Sequence, residues 1–586
     1  MLITIQVATC TNPDLGFGEW QLNDGSGTLS VNDLMYAFTP SLNIDYSVTG
    51  PLSFSFDFYK IEPRNADDIV IELPLFFTVQ PEESNITQTD MDIKWETNIS
   101  ASTEYSYGKT PAFELGTINA NSQGIEHEIT LTNLEPATIY YVKPFSTEGT
   151  EVTPATTMVV STKSNSSGRI NVYFNHFVDH SVATNEMAVS TDNIIDTIIS
   201  YIDQANQTLD VTMYETENEE IVNAINAAYD RGVTVRVISD DVGNNAAFDN
   251  LNQNIAYLEG NTSGIMHDKF FIIDGEDTND AWVMTGSMNH TVNNLGWDYN
   301  NVICIQDKSL AKAYALEFNE MWGGTDLQPN LDNSKFGPDK TNNTPHRFVI
   351  GDIPAELYFS PSDGTANQIQ KIIDNSENEL AFAVLVFTEN SLGTATRNAH
   401  DRGVDVKGII DYVEFNGSEF NFLMDNGVDV IDYQNEDGSQ WPDGPTLHHK
   451  YAIADYMTGD NPVLITGSHN WSASANSIHD ENTLILYDAT LANIYYQEFS
   501  ARFETLTPTK EIESSSLFLF PNPVDQLLSI TIPENGWLEI SNIAGQTVMN
   551  KFLTEGTQEL NVSAFANGLY FLKFNNQISK LVINHE

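Results

Sequence analysis

The sequence predicts a multidomain chain in which a central, duplicated α/β domain of two pseudo-symmetric halves is flanked by all-β sandwich modules. Three observations predict it. Residues 165 to 510 alternate apolar strand-like runs with helical periodicity, the pattern of an α/β layer fold. The same stretch repeats itself. Asp230-Arg-Gly-Val-Thr-Val235 returns 171 residues on as Asp401-Arg-Gly-Val-Asp-Val406, and Tyr314-x-x-Glu317-Phe318 returns 181 residues on as Tyr495-x-x-Glu498-Phe499. On either side lie short β-branched or aromatic runs bounded by Pro, Gly and Asn.

Taken in order, residues 1–78 read as a β-rich segment, a truncated sandwich. Phe54, Phe56 and Phe58 alternate there as if lining one face of a single strand. Residues 79–164 carry Asp92-Ile-Lys-Trp-Glu96, a turn-rich stretch, Glu128-Ile-Thr-Leu131 and then Leu134-Glu-Pro-Ala-Thr-Ile-Tyr140. This resembles a fibronectin type III module, with Trp95 as its buried tryptophan and Tyr140 closing its tyrosine corner. The repeat divides the centre into halves at 165–335 and 336–510. Helices are expected at Ile194 to Ala205, Glu220 to Arg231 and Leu310 to Met321. After a polar linker around Thr505 to Ser516, residues 517–586 hold four markers in order: Phe520-Pro-Asn-Pro523, Gly545-Gln-Thr-Val548, Leu560-Asn-Val-Ser563 and Asn567-Gly-Leu-Tyr-Phe571. These resemble the C-terminal sorting domain of the type IX secretion system. The resemblance implies a bacterial protein handled by that machinery and secreted or held at the outer-membrane surface.

Charge excludes one class of partner. The chain of 586 residues holds 82 Asp and Glu against 25 Lys and Arg, a formal net charge of −57. A broad basic face cannot be built from that supply, which argues against a high-affinity, non-specific duplex DNA binder. Two cysteines, Cys10 and Cys304, make neither a disulfide framework nor a Cys-rich zinc site; spacing leaves one bridge between them open, and two free, buried thiols are the preferred reading. No run of about 18 apolar residues is present. The opening MLITIQVATC lacks the basic residue and the length of a secretion leader, which reads as a mis-assigned start.

The chemistry sits in the repeat. His267-Asp-Lys269-x-x-x-x-Asp274 recurs in register as His448-His-Lys450-x-x-x-x-Asp455, and each is followed by a second element, Gly286-Ser-Met-Asn289 and Gly467-Ser-His-Asn470. His and Lys two apart on a strand face the same way, so an imidazole sits beside an ammonium. Lysine brings positive charge to a phosphate oxygen, and Asn289 and Asn470 bring amide donors. Imidazole is suited to attack or to move protons near neutral pH. Two such half-sites meeting across a pseudo-twofold axis fit a phosphodiester. Asp274 and Asp455 each follow an apolar strand and are given a supporting role, as are Ser287 and Ser468. Lysine within each cluster would repel a cation, so neither a metal nor another cofactor is expected.

These two complete motifs resemble those of the phospholipase D superfamily over residues 165 to 510. The resemblance implies a mixed sheet flanked by helices in each half and one active site between them. It also implies a two-step mechanism through a covalent phosphohistidine, with His267 as nucleophile and His448 protonating the leaving oxygen and then activating water. A monomer is expected, since both half-sites lie in one chain. Many members carry a Glu after the second element that fixes the histidine tautomer. Glu481 fills that position in the second half and is expected to orient His448, while Asn300 stands there in the first half and is expected to orient His267.

Three readings of the substrate follow. The first is a secreted lipase-type hydrolase converting phospholipid to phosphatidic acid plus free headgroup. The second is an extracellular endonuclease, and the third a catalytically weak adhesin or scaffold. Both motifs are complete, which disfavours the third. Residues 170–510 hold 15 Lys and Arg against 52 Asp and Glu, which gathers DNA poorly and favours the lipid.

Overall fold

The computed structural model describes residues 2–585 apart from 73, 154–155, 261–263, 434–443, 458–460, 507–517, 533–534, 544–545, 555 and 575–576. Most of the expected linker at 505–516 and the marker residue Gly545 lie outside the described residues.

Two eight-stranded mixed sheets form the centre, and they share one topology except at the first edge strand, which is Val189–Ser190, parallel to its neighbour, in one and Arg347–Ile350, antiparallel to its neighbour, in the other. In the first, the strands run Val189–Ser190, Ile170–Phe174, Asn301–Gln306, Trp282–Gly286, Lys269–Ile273, Thr208–Met213, Thr234–Asp240 and Ala256–Gly260 across the sheet. The second repeats this order from Arg347–Ile350 to Asp429–Asp432, with Lys450–Ala454 and Val463–Gly467 in the places of Lys269–Ile273 and Trp282–Gly286. In both, the last three strands are parallel and the strand that begins at the motif lysine runs antiparallel to its neighbours.

The recurring Asp-Arg-Gly-Val is explained locally. Helices Glu219–Asp230 and Asn390–Asp401 end on its aspartate, and Gly232 and Gly403 turn the chain into the next strand at φ 95° and 96°. The arginines cap neighbouring helix ends: Arg231 donates to the carbonyls of Ile202 and Asp203, and Arg402 to those of Ile373 and Ser376. The three expected helices form as Ile194–Ile202, Glu219–Asp230 and Lys308–Trp322.

One hydrophobic core runs through both halves. Phe270, Tyr314, Phe318 and Trp322 of the first pack in the same cluster as Phe359, Tyr451, Tyr495 and Phe499 of the second. The C-terminal helices of the two halves, Lys308–Trp322 and Ala489–Leu506, supply much of it. Separating the halves would expose this core to water, so they form one unit and fix the site between them.

The flanking modules are all-β. In the first, pairing of strand Leu2–Gly16 with Asp45–Ser55 closes five strands into a ring around Trp20, Tyr46 and Val48. Here one expectation fails. Phe54, Phe56 and Phe58 do not line a strand face, because strand Asp45–Ser55 ends and Phe58–Ile61 begins around a turn at Phe56-Asp57. The alternation spans a hairpin that runs beyond the buried core, and all three rings are exposed.

In the second module Trp95 is buried and donates from Nε1 to Ser146 Oγ at 2.9 Å, and the Tyr140 hydroxyl accepts from Glu135 N at 2.9 Å. It docks on the centre through Ser164 Oγ, which donates to Asp307, and Ser309 Oγ, which donates to the Thr162 carbonyl. The C-terminal module stacks three- and four-stranded sheets around Leu528, Leu538, Leu572 and Leu581. Cys10 and Cys304 are buried and unpaired. Among the described residues no helix is long and apolar enough to cross a membrane.

Candidate active site

Strands Lys269–Ile273 and Lys450–Ala454 begin at the motif lysines, so each histidine sits one pleat before its strand, in extended chain. The two halves hold these segments for each other. Met266 bridges Asp480 in parallel, with His267 N donating to the Asp480 carbonyl at 2.9 Å; Tyr299 bridges Leu447, with His448 N donating to the Tyr299 carbonyl at 2.9 Å. Asp240 and Asp411 secure the residue before each histidine by accepting from Met266 N at 2.6 Å and Leu447 N at 2.5 Å.

His267, Lys269, His448 and Lys450 are all buried, and they lie close enough to act on one another. Each lysine donates to the carbonyl of its own histidine, Lys269 Nζ to His267 at 2.6 Å and Lys450 Nζ to His448 at 2.7 Å. Burial holds both histidines well below the usual imidazole range, and the ammonium groups of Lys269 and Lys450 push the same way. Burial lowers Lys269 to about 8 against the pull of Glu481 and Asp268, and lowers Lys450 well below the usual range, with Lys269 adding to the effect. The site is therefore a pocket of donors and cations whose charges repel until an anion enters.

The orienting residues correct the sequence expectation. Glu481 does not orient His448, nor Asn300 His267; each reaches across to the other half. His267 Nδ1 donates to Glu481 Oε2 at 2.7 Å, and His448 Nδ1 donates to Asn300 Oδ1 at 3.0 Å. The reason is the pair of inter-half bridges: residues 480 and 299 are paired with the other half's motif, so the next residue lands on the other half's imidazole. In both cases Nδ1 carries the proton and Nε2 presents its lone pair. The serines of the second element differ in what they hold. Ser287 Oγ donates to Asn300 Oδ1 at 2.9 Å, whereas Ser468 Oγ accepts from Asn482 N at 3.0 Å.

Asn289 and Asn470 are held in the second element of each half, and both have a buried side-chain oxygen with no hydrogen-bond partner among the described residues. Asn289 Nδ2 donates to Glu215 Oε2 at 3.3 Å. Asp274 and Asp455 lie away from the reacting groups, at φ 49° and 51°, where each follows its strand. Asp274 accepts from the backbone of Asn206, Gln207 and Thr208 at 2.6–2.9 Å, and Asp455 from Glu377, Asn378 and Glu379. Asp274→Ala would strand three donors, so the central domain should lose roughly 2–4 kcal/mol, read as a lowered midpoint in urea unfolding.

Sequence reasoning missed Asn301 and Asn482, which interlock the halves behind the histidines. Asn482 Nδ2 donates to Asp268 at 2.8 Å while its oxygen accepts from Thr285 of the other half; Asn301 Nδ2 meets His449 Nδ1 at 3.0 Å while its oxygen accepts from Tyr495. It also missed Tyr214, whose ring lies 4.9 Å from that of His267, and the buried pairs Glu317–Lys340 and Glu498–Arg502. The signal was present, since 300/481, 301/482 and 317/498 all keep the 181-residue shift.

Comparison with known proteins finds two families along the chain. The family described as "Cardiolipin synthase, PLD-like domain" matches residues 198–322 and again 369–503, and the family "Secretion system C-terminal sorting domain" matches residues 518–584. Curated relatives include the mitochondrial cardiolipin hydrolase of Mus musculus, 32% identical over 151 residues (25% of this chain, 62% of that protein). The Homo sapiens protein of the same name is 35% identical over 133 residues, 22% of this chain and 48% of its own. The chain thus spans about half to three-fifths of these relatives' length. Among solved structures, a phospholipase D family member, Nuc, from Salmonella typhimurium is 23% identical at TM-score 0.23, covering 26% of this chain and 94% of that one. Phosphatidylserine synthase from Haemophilus influenzae is 14% identical at TM-score 0.39, covering 53% of this chain and 84% of that one. The chain thus carries a duplicated PLD-like domain, and its C-terminal sorting domain marks it as a bacterial protein secreted or displayed at the cell surface.

Proposed function

We propose that the protein hydrolyses a phospholipid to phosphatidic acid and free headgroup through a phosphohistidine on His267. One observation carries this reading: the crossed, unequal pair Glu481–His267 and Asn300–His448. A carboxylate on Nδ1 raises the electron density at Nε2 of His267 and stabilises the positive ring once phosphorus is attached. A neutral amide on Nδ1 leaves His448 the weaker base and the better proton donor.

In the first step the Nε2 lone pair of His267 attacks phosphorus, the bond from phosphorus to the headgroup oxygen breaks, and that oxygen takes the Nε2 proton of His448. In the second, water attacks phosphorus as His448 takes its proton, and the P–N bond returns its electrons to His267. Lys269, Lys450, Asn289 and Asn470 would hold the non-bridging oxygens, where charge builds up. Burial keeps both histidines neutral, so the anionic diester itself, placed between them, would raise His448 and load it for the first step.

Charge supports a lipid over a nucleic acid. A zwitterionic headgroup makes no demand for a basic track, whereas a polynucleotide must bring many phosphates into the field of 52 carboxylates in residues 170–510. The curated relatives are named for hydrolysis of cardiolipin, itself a phospholipid diester.

The test is phosphorus NMR on the full chain with phosphatidylcholine micelles and DNA together, in the presence of chelator. A phosphatidic acid resonance is expected, absent with His267→Asn/His448→Asn. A nucleotide monoester resonance in its place would overturn the lipid reading. The pH dependence is a second expected result. Lys269 serves the diester only when protonated, so kcat/KM should fall as pH rises through about 8, where that proton leaves.

A further inference from the structure

The first module carries an apolar feature that its own fold does not use. Strands Asp45–Ser55 and Phe58–Ile61 meet at a hairpin whose tip shows Phe54 61% exposed, Phe56 90%, Phe58 66% and Tyr59 61%. Four neighbouring aromatic side chains on one turn are more apolar surface than solubility favours.

The turn is also built at a cost. Phe56 and Asp57 stand at φ 51° and 65°, the left-handed region that two-residue hairpin turns require and that Asn and Gly normally fill. A phenylalanine is unfavourable there and, at 90% exposure, contributes little to the core in return. The base of the hairpin is secured. Lys60 is buried in an ion pair with Glu19, Ser53 Oγ donates to Glu62 at 2.7 Å, and the Phe54 and Tyr59 rings pack against each other with centroids 4.9 Å apart. A fixed stem thus presents a convex aromatic tip.

We infer that this hairpin docks the protein on a zwitterionic phospholipid surface by seating Phe56 and Phe58 at the headgroup level. A convex tip needs no complementary cleft in a lipid surface, and aromatic rings are favoured at that depth. From Leu52 to Tyr59 the only charge is Asp57, at the crown. A carboxylate at the crown of an aromatic tip complements the quaternary ammonium of choline headgroups, which aromatic rings also attract, while the net charge of −57 would turn the chain away from anionic bilayers. The choice of a lipid surface rests on the phospholipid reading above.

The test is co-sedimentation of the full chain with phosphatidylcholine vesicles, run in the His267→Asn background so that no lipid is consumed. The chain is expected to partition onto the vesicles, and Phe56→Ser/Phe58→Ser to lower that partition at least tenfold. Phe56→Gly separates docking from folding, because it should relieve the turn, hold or raise the melting temperature, and still weaken vesicle binding. Equal binding by all three chains, or no binding by the parent, overturns the inference. So does sedimentation velocity showing a lipid-free dimer that Phe56→Ser/Phe58→Ser dissociates, since a second copy would then be what covers the tip. Cleavage of monomeric short-chain phosphatidylcholine without vesicle binding sinks the hairpin alone. Vesicle binding without cleavage of either lipid form upholds the hairpin and sinks the phospholipid reading.

Discussion

His448→Asn should still release one equivalent of p-nitrophenolate from bis(p-nitrophenyl) phosphate and then stop, with phosphorus held on His267. The leaving group in this diester departs without a proton, so the first step survives loss of the acid. The second step needs a base to activate water, and His448 is the group placed to do so. With an ordinary alcohol leaving group the same variant should lose about 10²–10⁴-fold in turnover, the usual worth of a positioned acid or base. His267→Asn should give no release from either diester, because no nucleophile remains. The measurement is a stopped-flow burst followed by mass spectrometry of the quenched chain. A burst in His267→Asn and none in His448→Asn would exchange the two roles.

Such an experiment is decisive because pseudo-symmetry hides the roles in the sequence. The repeat is legible there: the 171- and 181-residue shifts bring out both halves, and the motif spacing brings out His267, Lys269, His448 and Lys450. The position of Asn300 opposite Glu481 is legible as well. Its partner is not, since a shift in register says which residues are equivalent and nothing about which half they touch. That depends on the bridges Met266–Asp480 and Tyr299–Leu447, which are tertiary contacts between segments 214 and 148 residues apart. The Phe54–Phe58 stretch was misread for a local reason. Period-two alternation signals a strand only if the chain stays extended, and a Phe-Asp turn lacks the glycine or asparagine that would mark a hairpin. Asp274 and Asp455, by contrast, do what an aspartate after an apolar strand can do with no reference to substrate, which is to collect backbone N–H groups.

The unequal orienters should leave unequal marks on turnover. Glu481→Gln keeps an acceptor for His267 Nδ1 but removes the negative charge that balances the ring once phosphorus is attached, so kcat should fall between about 10²- and 10⁴-fold. Asn300→Asp acts in the opposite electrostatic sense. A new carboxylate 3.0 Å from His448 Nδ1 favours the protonated ring. Proton donation to the headgroup oxygen then extends to higher pH, while water activation slows because the base gives up its proton less readily. The expected signature is a kcat–pH profile displaced upward with more phosphoenzyme at steady state, and a smaller loss than Glu481→Gln causes. A purely structural role for the two residues predicts something else: equal losses, an unmoved pH profile and no change in trapped phosphohistidine. In the proposed mechanism the crossed geometry sets the direction of attack, since of the two motif histidines His267 has the buried carboxylate behind it and His448 the neutral amide that leaves its proton easier to give.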